Sequence, residues 1–145
     1  MNNYELKHYL SSYDVQVVCS DDLPAVAKKH QFWIVNTDEC GGKGLHWVVF
    51  HFPSKGSMEF FDSLGNPPEH YHRRFQSILI FNGPRYKYID SRIQSVTSSL
   101  CGHYCIYFIL QRIKGRSMNN IVHDFYDLNT HANDRLVSDF INDMY

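Results

Sequence analysis

Three short apolar runs, set apart by polar connections, dominate the first half of the chain. They are Phe32-Trp33-Ile34-Val35-Asn36, Leu45 to Phe52, and Met58-Glu59-Phe60-Phe61-Asp62. Each is rich in β-branched and aromatic residues and too short for an ordinary helix, so each reads as a buried strand. Thr37 to Gly44, the first connection, is polar and holds three glycines, and Pro53-Ser54-Lys55-Gly56 is a hairpin signal. Strands joined this closely predict an antiparallel meander. Ahead of it, Tyr4, Leu6, Tyr9 and Leu10 fall at helical spacing, and Asp14 to Ser20 alternates as a short strand or extended arm. Asp21-Asp22-Leu23-Pro24 reads as a turn, with Pro24 placed to open a brief helix.

Behind the meander, Tyr71, Phe75, Ile78 and Leu79 share one face of a helix over 69–81, bounded by Pro67-Pro68 and Gly83-Pro84. Arg85 to Ile93 alternates enough for a fourth strand. A Ser/Thr-rich loop then ends abruptly at Cys101-Gly102, and a nearly unbroken apolar helix runs from Cys101 to Arg112, stopped by Gly115. A helix apolar on all sides is a buried one. Met118 to Leu128 and Asp134 to Met144 read as two closing amphipathic helices around Asn129-Thr130-His131. The expected fold is α+β: a mostly antiparallel sheet packed on the buried helix, with helices at both termini, in a single domain over residues 1–145.

Composition narrows the functional classes. The 145 residues carry a formal net charge of −1 with acids and bases mixed, so there is no basic nucleic-acid arm and no acidic tail. No apolar run is long enough to span a bilayer, and the N-terminus lacks the apolar core of a signal peptide. Cys19, Cys40, Cys101 and Cys105 form no C-x-x-C pair. Free thiols in a reducing, intracellular setting are therefore expected. Cys40, Cys105 and His103 have no zinc-finger spacing, so no metal site is expected.

The candidate chemistry sits at the ends of these elements. Cys101 opens the buried helix, where the dipole and free N–H groups favour a thiolate. His46 begins a strand behind a Gly-rich loop, and Asp62 ends the neighbouring strand at the same end of the hairpin. Gln94 opens the loop that leads to Cys101. Singly, each has a plainer use: a buried small hydrophobe, a satisfied strand histidine, a turn-capping aspartate, a solvated glutamine. Together they supply a nucleophile, a base, a group that orients the base, and an oxyanion donor alongside the Cys101 N–H. Trp47, Gly44 and Leu100 are the candidates for lining a substrate groove.

With these residues in this order, the chain resembles adenain, the adenovirus endopeptidase, and its relatives in other large DNA viruses and self-synthesising DNA transposons. The resemblance is carried by Ile34-Val35-Asn36-Thr37, Gly44-Leu45-His46-Trp47-Val48-Val49-Phe50, Phe60-Phe61-Asp62-Ser63-Leu64-Gly65, and Gln94 through Cys101-Gly102-His103-Tyr104-Cys105. It spans roughly residues 23 to 113, and the SUMO- and NEDD8-deconjugating proteases share it more distantly. It implies a papain-like cysteine protease with Cys101 as nucleophile, His46 as general base and acid, Asp62 as orienter and Gln94 as oxyanion donor. It also implies a protein or polyprotein substrate cleaved after small residues such as glycine, a virion or host nuclear or cytoplasmic setting, and a monomer. The alternative within the same resemblance is an isopeptidase for ubiquitin-like modifiers. The chain departs from the adenoviral pattern in two places. Asp62 stands where adenoviral members carry Glu. The adenoviral enzymes also bear a cysteine ahead of the glutamine that tethers an activating peptide, and no cysteine lies between Asn82 and Gln94 here. No cofactor is required on this reading, and an activating peptide or DNA stays open, though no matching cysteine supports a disulfide-linked one. The near-neutral charge argues against DNA as an activator, with Arg73, Arg74, Arg85 and Lys87 as the one local basic patch.

Overall fold

The computed structural model describes residues 1–144. Five strands form one sheet in chain order: β1 (Val15–Cys19), β2 (Gln31–Asn36), β3 (Trp47–Phe52), β4 (Met58–Phe61) and β5 (Tyr86–Tyr88). The meander predicted for β2, β3 and β4 is present and antiparallel, with Val35 opposite Val48 and Val49 opposite Phe61. Both flanking pairs, β1 with β2 and β4 with β5, are parallel. Parallel neighbours need a long crossover. The one from β4 to β5 carries a 3₁₀ turn (Pro68–His70) and helix α2 (Arg73–Asn82).

Helices cover both faces, which explains why β2, β3 and β4 are apolar at successive positions rather than alternate ones. Trp33, Val35, Val48, Phe50 and Phe60 pack on one side with Phe75 and Leu79 of α2. Phe32, Ile34, Val49 and Phe61 pack on the other, against Tyr104, Phe108 and Ile109 of α3 (Cys101–Ile113). Phe108 stacks on Phe61 with ring centroids 4.6 Å apart. On this same face lies a buried ionic group. Glu59 of β4 accepts from Arg112 Nε at 2.9 Å and pairs with His51 Nδ1 of β3 at 2.6 Å. It anchors the far end of α3 to the sheet. Helices α1 (Asn3–Tyr9), α4 (Met118–Val122) and α5 (Thr130–Asn142) complete the α3 side, and no helix is long and apolar enough to cross a membrane among the described residues.

Several local expectations do not hold. The fourth strand, expected over 85–93, is only Tyr86–Tyr88, and α2 begins at Arg73 rather than at 69. Pro24 opens no helix, because the backbone of 20–30 spends its donors elsewhere: Ser20 N on Asp38 O, and Ala27 N on the Asn82 side chain. The helix expected through Leu128 stops at Val122. The fully buried Asn133 holds the following segment, accepting from Tyr126 N and donating to Tyr126 O and Ile93 O. Helix α5 in turn starts earlier than expected, since Asn129 caps it by accepting from Ala132 N at 3.0 Å.

The expectation of four free thiols is also corrected: Cys19 and Cys40 form a disulfide, with Cα atoms 5.3 Å apart. Cys19 ends β1 beside Asn36 of β2, and the loop after β2 folds back to bring Cys40 alongside. Asp21 helps by accepting from Cys40 N at 2.7 Å. Only Cys101 and Cys105 are free.

Candidate active site

The site forms where three element ends meet: the residue before β3, the residue after β4, and the first residue of α3. Continuing the β3–β4 register past Val49 and Phe61 sets Asp62 opposite Val48, two residues from His46. The imidazole crosses that short diagonal, and His46 Nε2 lies 2.6 Å from Asp62 Oδ1. The other ring nitrogen is free of that bond, and the sulfur of Cys101 lies close enough for the imidazole and the thiol to act on each other.

Asp62 is almost wholly buried, and burial alone would drive its carboxyl up. It is nonetheless held below the usual carboxylate range, first by His46, then by Tyr71 and the Leu64 N–H. Its other reading, as a turn cap, is realised at the same time. Oδ1 accepts from Leu64 N at 2.9 Å and Oδ2 from Asn66 N at 3.3 Å. One carboxylate shapes the turn and faces the ring.

His46 and Cys101 are perturbed in opposite directions. Burial works against the imidazolium, but the bonds to Asp62 and Cys101 outweigh it and raise His46 to about 9. Burial likewise works against the thiolate, yet His46 and the Trp47 and Gly102 N–H groups pull Cys101 below an ordinary thiol. The Gly102 N–H is one of the unpaired donors of the first turn of α3, which has no side-chain cap at Leu100. The arrangement favours a thiolate–imidazolium pair over two neutral groups. Cys105, one turn further on, is completely buried and pushed well above an ordinary thiol, so it is inert packing.

Gln94 is buried and reaches the same space, fixed from the Asp62 side. Ser63, the next residue, donates its hydroxyl to Gln94 Oε1 at 2.5 Å, and its carbonyl accepts from both Ile93 N and Gln94 N. The amide is thereby oriented with Nε2 forward, where it donates to Ser98 O at 3.0 Å and Ser98 Oγ at 3.1 Å. Gly65 permits this approach. It sits at φ +78°, and a Cβ there would come within 2.6 Å of the Ser91 backbone.

A groove of about 930 Å³ runs over these groups, lined by Gly44, His46, Trp47, Gln94 and Cys101 among others. The Cys19–Cys40 bridge lies in its wall. Trp47 is anchored by its indole N–H, which donates to Met1 O at 3.0 Å. Leu100 is partly buried against the core on the α3 side, between Ser99 and Cys101, which line the groove. Cys40, Cys105 and His103 do not converge. Among the described residues the one metal-type cluster is Cys19, Asp21 and Cys40, two of which are the disulfide. The residues that sequence reasoning missed are Ser63, Ser98 and Tyr71. Tyr71 Oη donates to Asp62 Oδ2 at 2.5 Å. Its only signal in the sequence was an aromatic position read as part of a helix face.

No family model matches the chain. A curated relative, the protease of Bovine adenovirus 4, is 30% identical, the match covering 80% of this chain and 68% of that one. The crystal structure of the ASFV pS273R protease superposes on 92% of the chain with a TM-score of 0.54 at 17% identity, and the chain spans 62% of its length. The selenomethionine form of that protease matches 69% of the chain and 40% of its own, with a TM-score of 0.46 and 25% identity.

Proposed function

Since the chain belongs to the adenain-like family of viral proteases, we propose that it is a cysteine endopeptidase acting through Cys101, His46, Asp62 and Gln94. The observation that carries this reading is the ordered contact of sulfur, imidazole and buried carboxylate, with His46 Nε2 2.6 Å from Asp62 Oδ1. In the proposed mechanism the Cys101 thiolate attacks a peptide carbonyl and the C–N bond breaks. His46 then gives its proton to the departing amine. A water that loses its proton to His46 next attacks the thioester and frees the acid and the thiol. Asp62 stays ionised throughout, fixing the ring and favouring its cationic form. The Gln94 amide and the Cys101 N–H are the donors proposed for the oxyanion. In the free protein that amide is engaged by Ser98, so an incoming carbonyl takes Ser98's place. Every role is filled by the chain itself, and the mechanism calls for no cofactor.

The substrate class follows the family resemblance: viral or transposon structural proteins, cut after glycine. A groove that passes between Trp47 and the Ser98–Ser99 stretch suits a residue without a side chain. The test is a peptide library profiled with the wild-type protein and with Cys101→Ala. Cleavage that favours Gly and vanishes in Cys101→Ala, with the melting temperature held, supports the reading. Cleavage that survives in Cys101→Ala overturns it. Running a folded ubiquitin-like fusion beside the peptides separates the endopeptidase from a deconjugating enzyme, which would prefer the fusion.

A further inference from the structure

The Asp62 carboxylate has four donors. Two are backbone N–H groups, of Leu64 and Asn66, and one is the imidazole of His46. The fourth is the hydroxyl of Tyr71, 2.5 Å from Oδ2. We propose that Tyr71 is a positioning residue of the proteolytic site, which acts through Asp62 to hold the imidazole in line with Cys101. The proposal rests on the assignment of Cys101 and His46 made above.

The geometry is specific. Tyr71 sits between the 3₁₀ turn and α2, where its N–H donates to Pro68 O at 3.2 Å. Its ring lies against that of Phe75, which is fully buried, and the ring centroid of His46 is 6.0 Å away. The hydroxyl is itself oriented, since it accepts from Asn66 Nδ2 at 3.1 Å. With that donor in place, its own proton is directed at the carboxylate. Tyr71 therefore fills the oxygen that the imidazole does not use. Without it, Oδ2 would keep only the Asn66 N–H at 3.3 Å, and the carboxylate could swing about its bond to Leu64 and carry the ring with it. A hydrogen bond to an ionised group is among the stronger ones in a protein, and more so in a dry site.

The charged and titratable groups around the pair come from every neighbouring element. Cys101 and Cys105 face it from α3. His70 and His72 flank Tyr71, and Asp38 and Glu39 lie across the recess that Tyr71 and His46 share. None of these donates to Asp62 among its hydrogen bonds, so removing the Tyr71 hydroxyl has no ready substitute.

The test is Tyr71→Phe, which keeps the ring packing and deletes one donor. Two readouts are taken. The first is the pH dependence of Cys101 alkylation by iodoacetate, which requires no substrate and, being an anion, reacts fastest while the thiolate is paired with a cationic imidazolium. The second is kcat and KM on a cleaved peptide. Tyr71→Phe should narrow the pH range of the fast-alkylating pair from its alkaline side. It should also lower kcat by about tenfold, the equivalent of one pH unit in the pair's protonation, with KM nearly unchanged. In an Asp62→Asn background the same change should cost clearly less, because the charge-assisted bond to the carboxylate is already gone and only a neutral contact is left to remove. An unmoved alkylation profile overturns the proposal, as does a loss of equal size in both backgrounds. A protein that alkylates as expected at Cys101 but cleaves no peptide refutes the protease reading instead, and leaves the Tyr71 effect measurable.

Discussion

Replacing Asp62 with asparagine tests the charge of the site while keeping its shape. The new amide oxygen can sit where Oδ1 lies and still accept from His46 Nε2 and Leu64 N. The amide nitrogen then falls at Oδ2, and the Tyr71 hydroxyl, which now donates there, can turn to accept. What is lost is the negative charge, together with the long Asn66 N–H bond to Oδ2. His46 is raised to about 9 against the pull of burial, with the Asp62 hydrogen bond foremost among the raising interactions. An opposite charge at this range is worth roughly one to three pH units. The alkaline limb of kcat/KM should therefore drop from near 9 to roughly 6–8. At pH 8 the rate should fall roughly two- to a hundredfold, and at pH 6, where at least about half of the imidazole stays protonated in either protein, by about twofold at most. That contrast separates electrostatics from damage, since a misfolded fraction lowers the rate equally at all pH values. The assay is initial rates on a fluorogenic peptide from pH 5.5 to 9.5, with a thermal melt at each end. An alkaline limb that stays in place, or a loss that appears in KM rather than kcat, would refute the reasoning.

Other parts of the site give equally direct outcomes. Gln94→Ala should lower kcat by about 10²–10³ with little change in KM, the usual cost of one oxyanion donor, measured on the same peptide. A Cys19→Ser, Cys40→Ser double variant should lose roughly 3 kcal/mol of stability in urea melts without reductant, from freeing a loop closed by cysteines 21 positions apart. Wild type in excess reductant should match it. Arg112→Met should cost about 3 kcal/mol, because it leaves the buried Glu59 with His51 alone. Stability should also follow the paired site. The contribution of His46, present in full below 6.5, should be lost as pH rises through about 9. That of Asp62, present above 3.8, should be lost as pH falls below it. Thermal melts across pH check both limbs.

What could be read along the chain depended on the range over which each feature is encoded. The meander and the helix from Cys101 are local patterns, since an apolar run of strand length beside a hairpin signal specifies its own partner. The parallel pairings of β1 and β5 are not local. β1 is only partly buried and has no tight turn to tie it to β2, so nothing near it in the sequence names its neighbour. The disulfide escaped for the same reason. Cys19 and Cys40 meet only because that parallel pairing brings the end of β1 to the loop behind β2, and no spacing rule anticipates a contact that depends on another contact.

The same logic orders the site. His46, Asp62, Gln94 and Cys101 each stand at the edge of a predictable element, so their type and position were visible before any fold was known. The groups that aim them were not. Ser63 is an ordinary turn residue until Ile93 and Gln94 dock on its carbonyl, and only then does its hydroxyl meet the Gln94 amide. Tyr71 has the right spacing to be one more core aromatic of α2. The helix begins at Arg73 rather than at 69, and this leaves Tyr71 in the link before it with its hydroxyl free to reach Asp62. A helix start read a few residues early is an ordinary outcome of pattern reading, yet here it divides a packing residue from one that touches the orienting carboxylate. Ser63 therefore ties Gln94 to the turn that starts at Asp62, and Tyr71 ties Asp62 to the start of α2. If the groove is a protease's, moving that one turn moves the base and the oxyanion donor together.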